Sequence, residues 1–248
     1  MYLTYQDVLA FYGIEGAHPG GFGLTKKILA KEKISDKTTV LDAGCGTGQT
    51  SSYLFRTFSC QVTAIDKHPE MIKKALQRFK HEKIPIQSLQ NSMEAMPFDD
   101  GSFDYIIAES SIAFTNINNT LRELHRVLKR GGVLLHIDMT AEPTLKKEEK
   151  AELKNFYQMK EILTEKEWLK AHNLAGFKGV RILKSNTILK ELEEMPISDF
   201  ASMPQVPANQ AFDEIMQKHQ LLTLSYGDKL GYRAFRAVKS SSLRSQFS

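Results

Sequence analysis

The stretch VLDAGCGTG, residues 40–48, decides the fold of this chain. It begins as a short apolar run and passes into three glycines that alternate with other residues. Apolar side chains then recur at helical spacing through Leu54, Phe55 and Phe58. Glycine permits a tight turn and lets the backbone approach a ligand without a clash at Cβ. The stretch therefore predicts a strand, a ligand-binding turn and a helix, in that order.

Outward from this turn, short apolar runs alternate with segments of helical period over residues 38–140. The predicted strands there are Thr39–Leu41, Val62–Ile65, Ile84–Leu89, Phe103–Ala108 and Val133–Met139. Pro69 suits the first turn of a helix, and Gly131-Gly132 are expected to stop the helix before the fifth strand. Strands and helices that alternate in this way form right-handed crossovers and a parallel sheet covered on both faces. Ligands of such sheets lie beyond the carboxyl ends of the strands.

The flanking regions extend the same plan. Residues 1–37 predict an N-terminal cap with a helix at 23–33, and residues 141–239 predict the second half of the domain. That half is expected to contain helical stretches at 145–172 and 208–219 and strands at Gly176–Lys184 and Gly231–Val238. The Ser-rich tail, 240–248, is expected to be disordered. The predicted fold is α/β, a Rossmann-like sheet of seven mostly parallel strands with a helical cap.

Composition argues against several classes of protein. With 42% hydrophobic and 25% charged residues among 248, the chain is expected to be globular. Its longest apolar runs, such as Val133–Ile137, are too short to cross a bilayer, and no signal peptide is expected. Two cysteines, Cys45 and Cys60, suffice for neither a disulfide framework nor a zinc site, so the cytoplasm is the expected compartment. The net charge of +4 comes from scattered residues and argues against a nucleic-acid partner.

The spacing of the glycines separates two classes of cofactor. Dinucleotides are bound by G-x-G-x-x-G with the pyrophosphate at the helix N-terminus, whereas this turn has G-x-G-x-G. Asp42, two residues before the first glycine, would repel a pyrophosphate but would attract a cation. S-adenosyl-L-methionine is such a ligand, because it carries a sulfonium and an ammonium group. Asp66, at the end of the second strand, is placed to accept hydrogen bonds from both ribose hydroxyls.

Four segments in register resemble the successive motifs of class I S-adenosylmethionine-dependent methyltransferases. They are VLDAGCGTGQTS at 40–51, AIDKHPEMI at 64–72, NSMEAMPFDDGSFDYIIAES at 91–110 and LKRGGVLLHIDMT at 128–140. The resemblance covers about residues 36–140 and is nearest to the small-molecule branch that includes the ubiquinone- and menaquinone-biosynthesis methyltransferases. It implies methyl transfer to a small-molecule acceptor, with S-adenosyl-L-methionine as the cofactor.

The resemblance also implies which residues hold the cofactor. The glycine turn would hold the methionyl part, Asp42 its ammonium group and Asp66 the ribose. Glu109, just after the fourth strand, would lie near the methionyl end and face the acceptor. Position 91 is usually aspartate in this family, and the side-chain carbonyl of Asn91 can still accept a hydrogen bond from the adenine amino group. The remaining implied contacts are Gly44, Cys45, Gly46 and Gly48 in the turn, Lys67 or His68 beside the adenine, and Ser92 and Met93 around its ring.

Purely structural roles would also explain some of these residues. Asp66 could cap the following helix, and Asn91 could form a turn. Met93 could be an ordinary core residue, and Cys45 is expected to be chemically inert because nothing near it in sequence would lower its pKa.

Methyl transfer from a sulfonium is an in-line displacement, so alignment in a water-excluded pocket can supply most of the acceleration. A general base matters only where the acceptor carries a proton. The candidate catalytic residues are Glu109, Asp138 near the carboxyl end of the fifth strand, and His18 in an aromatic, glycine-flanked segment. The alternative for His18 is a loop residue that caps a turn. The chemistry requires no metal, and the sequence shows no cluster of metal ligands.

Three other functions stay open at this point. Enzymes that methylate amino groups of nucleic acids usually carry Asn/Asp-Pro-Pro-aromatic after the fourth strand, where this chain has Glu109-Ser110-Ser111-Ile112. A nicotinamide-dependent dehydrogenase is disfavoured by the glycine spacing and by Asp42. A non-catalytic binder of the same cofactor is compatible with Asn91 and with the lack of an evident base. The sequence does not identify the acceptor, its reacting atom or the oligomeric state.

Overall fold

The computed structural model describes residues 3–14, 16, 18–194 and 210–241. Its strands are β1 (Thr39–Ala43), β2 (Gln61–Asp66), β3 (Gln87–Gln90), β4 (Phe103–Glu109), β5 (Leu128–Ala141), β6 (Phe177–Thr187) and β7 (Leu230–Lys239). Its helices are α1 (Tyr5–Tyr12), α2 (Gly21–Leu29), α3 (Gln49–Phe58), α4 (Pro69–Glu82), α5 (Ile117–Val127), α6 (Lys147–Tyr157), α7 (Glu165–Leu174), α8 (Ile188–Glu194) and α9 (Gln210–Tyr226). A short 3-10 helix covers Ile112–Phe114.

The seven strands form one sheet in the order β3-β2-β1-β4-β5-β7-β6. Strands β1 to β5 pair in parallel, whereas β7 lies antiparallel between β5 and β6. This arrangement confirms the predicted α/β sheet of seven mostly parallel strands. The chain order reverses between β1 and β4, so the carboxyl ends of these two strands border the crevice where sheets of this kind bind ligands.

Both faces of the sheet are covered by apolar layers. Leu41 of β1 packs in one layer with Leu124 and Trp168, and Val40 packs in the opposite layer with Leu54. Because successive side chains of a strand point to opposite faces, a single strand contributes to both layers. A third cluster, which includes Leu153, joins α6 and α9 to the end of β5. The sheet is therefore buried on both sides, and its carboxyl edge is the part left to form a site.

The stretch 145–172, predicted to be helical throughout, is two helices. Gln158 ends α6 in the left-handed region with φ of 56°. Thr164 begins α7 with a capping box, in which its hydroxyl accepts from the Glu167 amide while the Glu167 carboxylate accepts from the Thr164 amide. This reciprocal pair stabilises a helix start. The prediction of one continuous helix was wrong because Thr164 and Glu167 form a Thr-x-x-Glu signal that starts a new helix within the helical pattern.

Two other boundaries also differ from the prediction. Helix α5 ends at Val127, and Gly131-Gly132 lie inside β5 rather than stopping the helix. Phe103 pairs with Leu128 while Tyr105 pairs with Val133, so the glycines lie in a bulge of β5. The third strand is Gln87–Gln90 rather than Ile84–Leu89, and Pro85, just before it, has no amide hydrogen to donate to a neighbouring strand.

The flanks also differ in detail. Helices α1 and α8 were not predicted, and α2 begins and ends earlier than the expected 23–33. The helix expected at 208–219 is α9, which continues to Tyr226. Most of the tail predicted to be disordered, 240–248, lies outside the described residues. Of the helices in the described ranges, none is both long and apolar enough to cross a membrane.

Candidate active site

The glycine turn between β1 and α3 is shaped by its neighbours. A Cβ at Gly44 would lie 2.5 Å from the Cβ of Ser111, and one at Gly48 would lie 2.6 Å from the Phe79 ring. These two glycines are therefore required by packing alone. Gly46 also has a positive φ of 54°, but a Cβ there would meet nothing closer than a methionine sulfur at 3.9 Å. Gly46 is thus the position of the turn that a ligand can approach closely.

Asp42 lies behind the turn rather than on its surface. Only 2% of the residue is exposed, and its carboxylate accepts a hydrogen bond of 2.5 Å from the Ser51 hydroxyl on α3. Burial and the negative charges of Glu109 and Asp66 together raise the pKa of Asp42 to about 7, although the Ser51 hydrogen bond lowers it. Asp42 therefore contributes negative potential to the turn only when its carboxyl group is ionised.

Asp66 closes the turn from β2. One carboxylate oxygen accepts from the Gly46 amide at 3.0 Å, and the other accepts from the His68 amide at 2.8 Å. Burial raises the pKa of Asp66, while the two amide hydrogen bonds lower it. His68 is itself the N-cap residue of α4, so Asp66 does not cap that helix in the usual position. Each oxygen retains a lone pair that can accept from a ligand hydroxyl.

Asn91 follows β3 and carries an unpaired polar atom. Its backbone amide donates to the Asp66 carbonyl at 3.0 Å, whereas its side-chain Oδ1 is buried and accepts no hydrogen bond. A buried acceptor without a donor costs about 1–3 kcal/mol. The position is therefore suited to a donor supplied by a ligand, such as an amino group.

The other residues expected around the adenine have structural partners. The Ser92 hydroxyl accepts from the Glu94 amide at 3.2 Å, and Met93 is buried in the core. Lys67 is exposed, and its backbone carbonyl accepts from the Gln90 side chain. The thiol of Cys45 is buried, which raises its pKa well above the usual value. The expectation of an inert Cys45 agrees with this environment.

Glu109, at the end of β4, is the centre of a hydrogen-bonded group. The Thr25 hydroxyl of α2 donates to Oε1, and the Thr50 hydroxyl of α3 donates to Oε2 at 2.6 Å. The Nε2 of His18 lies 3.3 Å from Oε1. The structure thus brings together Glu109 and His18, which the sequence indicated separately. Neither threonine was predicted, because Thr25 is one of many polar residues in the cap and Thr50 is not part of the glycine pattern.

The contacts of His18 place one of its ring hydrogens. Nδ1 lies 3.1 Å from the carbonyl oxygen of Pro19, which only accepts, so Nδ1 carries a hydrogen. Nε2 faces the Thr25 hydroxyl at 3.2 Å and the Glu109 carboxylate. The Thr25 hydroxyl donates to Glu109, so one hydroxyl, one imidazole nitrogen and one carboxylate meet at this point. The His18 imidazole and the Glu109 carboxylate are thus within hydrogen-bonding distance of each other.

Asp138 does not reach this group. It is fully buried on the face of the sheet that α7 covers, and its carboxyl group bonds the Ala113 amide and the His136 ring. A side chain without exposed surface cannot touch an acceptor. The expected catalytic role of Asp138 is therefore corrected: it lies near the carboxyl end of β5, as predicted, but it points into the core.

The charges around the turn are predominantly negative. Asp42, Asp66 and Glu109 converge there from β1, β2 and β4. In the part of the chain that the structure describes, no arginine or lysine forms an ion pair with any of the three. The same ranges contain no group of three or more side chains that could hold a metal ion. Such a site favours an organic cation with hydroxyl and amino donors.

Comparisons with known proteins agree on one family. The family model described as a methyltransferase domain, Methyltransf_11, matches residues 41–136. The uncharacterized methyltransferase YodH of Bacillus subtilis (strain 168) is 33% identical over 235 residues, which cover 95% of this chain and 99% of YodH. The demethylmenaquinone methyltransferase of Chlorobaculum tepidum is 34% identical over 94 residues, which cover 38% of this chain and 37% of that protein.

A solved structure is similar over most of the fold. It is phosphoethanolamine N-methyltransferase 2 of Haemonchus contortus, in complex with phosphomonomethylethanolamine and S-adenosylhomocysteine. The likeness has a TM-score of 0.75 at 21% identity and covers 95% of this chain and 57% of that chain. It shows that the two proteins share a fold.

Proposed function

We propose a reaction for this chain, which belongs to the class I S-adenosylmethionine-dependent methyltransferases that act on small molecules. It transfers a methyl group by in-line displacement to an acceptor held beside Glu109 and His18. The observation that carries this proposal is the hydrogen-bonded group around Glu109. It joins the glycine-turn helix α3, through Thr50, to the N-terminal cap, through Thr25 and His18. The cofactor side and the cap side of the site therefore meet at one carboxylate.

The residues present fit the cofactor. The unpaired Oδ1 of Asn91 would accept from the adenine amino group, and Asp66 would accept from the ribose hydroxyls. The open approach at Gly46 would admit the methionyl chain. The negative charges of Asp42 and Glu109 would favour the ammonium and sulfonium groups. When bound, S-adenosyl-L-methionine supplies a methyl group on a positively charged sulfur.

Glu109 and His18 are proposed to orient the acceptor and to take its proton. The two side chains are 13% and 6% exposed, so little water reaches them. An acceptor hydroxyl could pass its proton to this pair as its oxygen forms the new bond to the methyl carbon and the bond from that carbon to sulfur breaks. An ammonium acceptor would first lose a proton to the pair, which frees the nitrogen lone pair for the same displacement. Alignment in a sheltered pocket accounts for most of the expected acceleration, and proton removal adds to it. We accordingly propose an acceptor with an ionisable O–H or N–H on its reacting atom.

Calorimetric titration tests the cofactor part of this proposal. We expect Asp66→Ala to weaken S-adenosyl-L-methionine and S-adenosylhomocysteine binding by about 1–3 kcal/mol, because charged hydrogen bonds to the ribose are lost. Asp104→Ala is the matched control, since that carboxylate bonds Thr39 and Lys129 at the opposite end of β4. Unchanged affinity in Asp66→Ala would remove Asp66 from the site.

Turnover tests the catalytic part. Release of S-adenosylhomocysteine would be measured with a panel of amine, phenol, carboxylic acid and thiol acceptors. The proposal expects release with at least one acceptor whose reacting atom carries a proton. Tight cofactor binding without release from any member of a broad panel would favour a non-catalytic binder instead.

A further inference from the structure

A row of buried hydrogen bonds runs from α7 through β5 to the segment that follows Glu109. The carbonyl oxygen of Trp168 lies 2.7 Å from Nδ1 of His172, and the two Nε2 atoms of His172 and His136 lie 2.8 Å apart. Nδ1 of His136 lies 2.8 Å from one oxygen of Asp138, whose other oxygen accepts from the Ala113 amide at 3.2 Å. We call His136, Asp138 and His172 the buried triad.

The hydrogen bonds fix how many protons the buried triad holds. A carbonyl oxygen only accepts, so Nδ1 of His172 carries a hydrogen. One hydrogen must lie between the two Nε2 atoms, and another must lie between His136 and Asp138. The three groups thus hold three hydrogens, whereas two neutral imidazoles and a carboxylate would hold two. The buried triad is therefore neutral as a whole.

Its surroundings favour the arrangement without separated charges. The three residues are at most 1% exposed, and rings of Trp168 and Phe235 pack against His136. Burial lowers the pKa of His136 and His172 to about 3 and raises the pKa of Asp138 well above its usual value. Burying two separated charges costs more than burying neutral groups. Neutral imidazoles and a protonated carboxyl group fit this environment.

The charged groups near Asp138 that the structure describes are bonded to other partners. Arg233 is its partner in the β5–β7 register, but the guanidinium bonds Glu142 and Glu165. Glu109 bonds threonines on the other face of the sheet. On the α5 side, His125 contacts the ring of Phe177, which also contacts His172. Among the residues the structure describes, His136 is the only basic side chain within ion-pairing distance of Asp138.

The segment that the buried triad holds is next to the site. Ser110 follows Glu109 with a positive φ of 44°, a conformation that costs energy for a residue other than glycine. Its amide donates to the Ile137 carbonyl at 2.6 Å. The Ser111 hydroxyl donates to the Ala43 carbonyl at 3.0 Å, beside the glycine turn. With the Ala113 amide bonded to Asp138, these contacts fix a strained segment whose position sets that of Glu109.

We propose that Asp138 is a positioning residue that acts as a protonated carboxyl group, donating to His136 and accepting from Ala113, and so holds residues 110–114 and the Glu109 carboxylate in place. This inference rests on the proposed function, because Glu109 matters only if it serves the reaction. In this proposal Asp138 does not touch the substrate and acts on Glu109 only through the backbone of residues 110–114.

Two substitutions of Asp138 give opposite results if this is correct. Asparagine keeps both bonds, because its amide group can donate to His136 and its carbonyl can accept from Ala113. We expect Asp138→Asn to retain kcat within about 2-fold, and Asp138→Ala to lower kcat by roughly 10- to 100-fold with a smaller change in the KM for S-adenosyl-L-methionine. If Asp138→Asn were as impaired as Asp138→Ala, a carboxylate would be required and the proposal would be wrong.

A second measurement does not depend on activity. In the unfolded chain Asp138 ionises near its ordinary pKa of 3.8, whereas in the folded chain it stays protonated. Its contribution to stability is thus complete below pH 3.8 and is lost as pH rises above that value. The free energy of unfolding of the wild type should therefore fall relative to that of Asp138→Asn between pH 5 and pH 8. An equal pH dependence in the two proteins would show that Asp138 is ionised in the folded state and would overturn the proposal.

Nuclear magnetic resonance of histidine-labelled protein locates the proton. We expect the side-chain nitrogens of His136 and His172 to show neutral rings from pH 5 to pH 8. An imidazolium signal at either residue would overturn the protonated-carboxyl assignment. These two measurements keep their meaning even if no acceptor is methylated, so failure of the proposed function and failure of this inference can be distinguished.

Discussion

The Nε2 atom of His18 lies 3.3 Å from Oε1 of Glu109, although one residue precedes α2 and the other ends β4. Both side chains are largely buried, and the Thr25 hydroxyl is within hydrogen-bonding distance of both. Through this contact the N-terminal cap is attached directly to the carboxyl edge of the sheet. The same contact places an imidazole and a carboxylate next to the glycine turn, where the proposed reaction requires a proton acceptor.

Replacing Glu109 by glutamine removes the negative charge and keeps the shape. We expect kcat to fall by roughly 10²–10⁴-fold with an acceptor that must lose a proton, because proton transfer by a positioned side chain contributes about that much. Glu123→Gln is the control, since Glu123 pairs with Arg126 on α5. Steady-state kinetics of both variants measure the effect. Similar turnover in both variants would exclude Glu109 from the proton transfer.

Replacing Thr25 by valine removes one hydroxyl from Glu109 at nearly constant volume. A hydrogen bond to a charged group contributes about 1.5–3 kcal/mol, so we expect a fall in kcat of roughly 10- to 100-fold. The affinity for S-adenosylhomocysteine should change little, because Thr25 belongs to the cap and not to the glycine turn. Kinetics and calorimetry on the same preparation make this comparison. A loss of affinity without a loss of turnover would contradict it.

Replacing Asn91 by leucine tests the unpaired side-chain carbonyl. We expect cofactor affinity to fall by about 1–3 kcal/mol because the adenine amino group loses its acceptor. The free protein should be no less stable, since Oδ1 has no partner to lose. Calorimetry and thermal unfolding give the two numbers. A large loss of stability with unchanged affinity would assign Asn91 a purely structural role.

The charge on Asp42 predicts a pH dependence of cofactor binding. Its pKa is raised to about 7 by burial, so the carboxyl group ionises as pH rises from 6 to 8. An ionised Asp42 attracts the sulfonium, which S-adenosylhomocysteine lacks. We therefore expect the affinity for S-adenosyl-L-methionine relative to S-adenosylhomocysteine to increase over that range, and Asp42→Asn to remove the increase. A flat ratio in the wild type would show that Asp42 does not titrate there.

The raised pKa of Asp42 also predicts that the free protein becomes less stable as pH rises, over a range that overlaps the one in which cofactor affinity is expected to increase. Because the folded pKa of Asp42 is above the ordinary value of 3.8, its contribution to stability is complete below pH 3.8. The contribution is lost as pH rises through about 7. We expect the free energy of unfolding of the wild type to fall relative to that of Asp42→Asn between pH 4 and pH 7, as measured by chemical denaturation. A constant difference would argue against the raised pKa.

The sequence predicted the parts of the molecule that depend on local pattern. The alternation of apolar runs and helical periods was sufficient for the seven strands, and the glycine pattern was sufficient for the turn that Asp66 closes. The resemblance to a family added Glu109 and Asn91. Asp42, Asp66 and Glu109 lie together because the strand ends of a parallel sheet meet at one edge whatever the flanks do, and their roles stay predictions.

The remaining features depend on packing between distant segments. Thr25 reaches Glu109 only because α2 lies beside the end of β4, and no periodicity in the sequence indicates that packing. Alternation along β5 places Asp138 on the same face of the sheet as His136, beneath α7. The apolar run in the sequence did not indicate which face of β5 would be buried in the core, so Asp138 was assigned to the site. His172 has no sequence signal that connects it to either residue.

The partners of Glu109 come from two parts of the chain. Thr50 belongs to α3, whereas Thr25 and His18 belong to the N-terminal cap. If α2 moved away from the sheet, the Glu109 carboxylate would keep only the Thr50 hydroxyl as a partner. Glu109 would then become exposed to solvent and lose its contacts with Thr25 and His18 at the same time. A molecule too large for α2 to pack over it would prevent the contacts of Glu109 with Thr25 and His18. If the proposed acceptor binds beneath α2, we therefore expect large acceptors to be methylated more slowly than small ones.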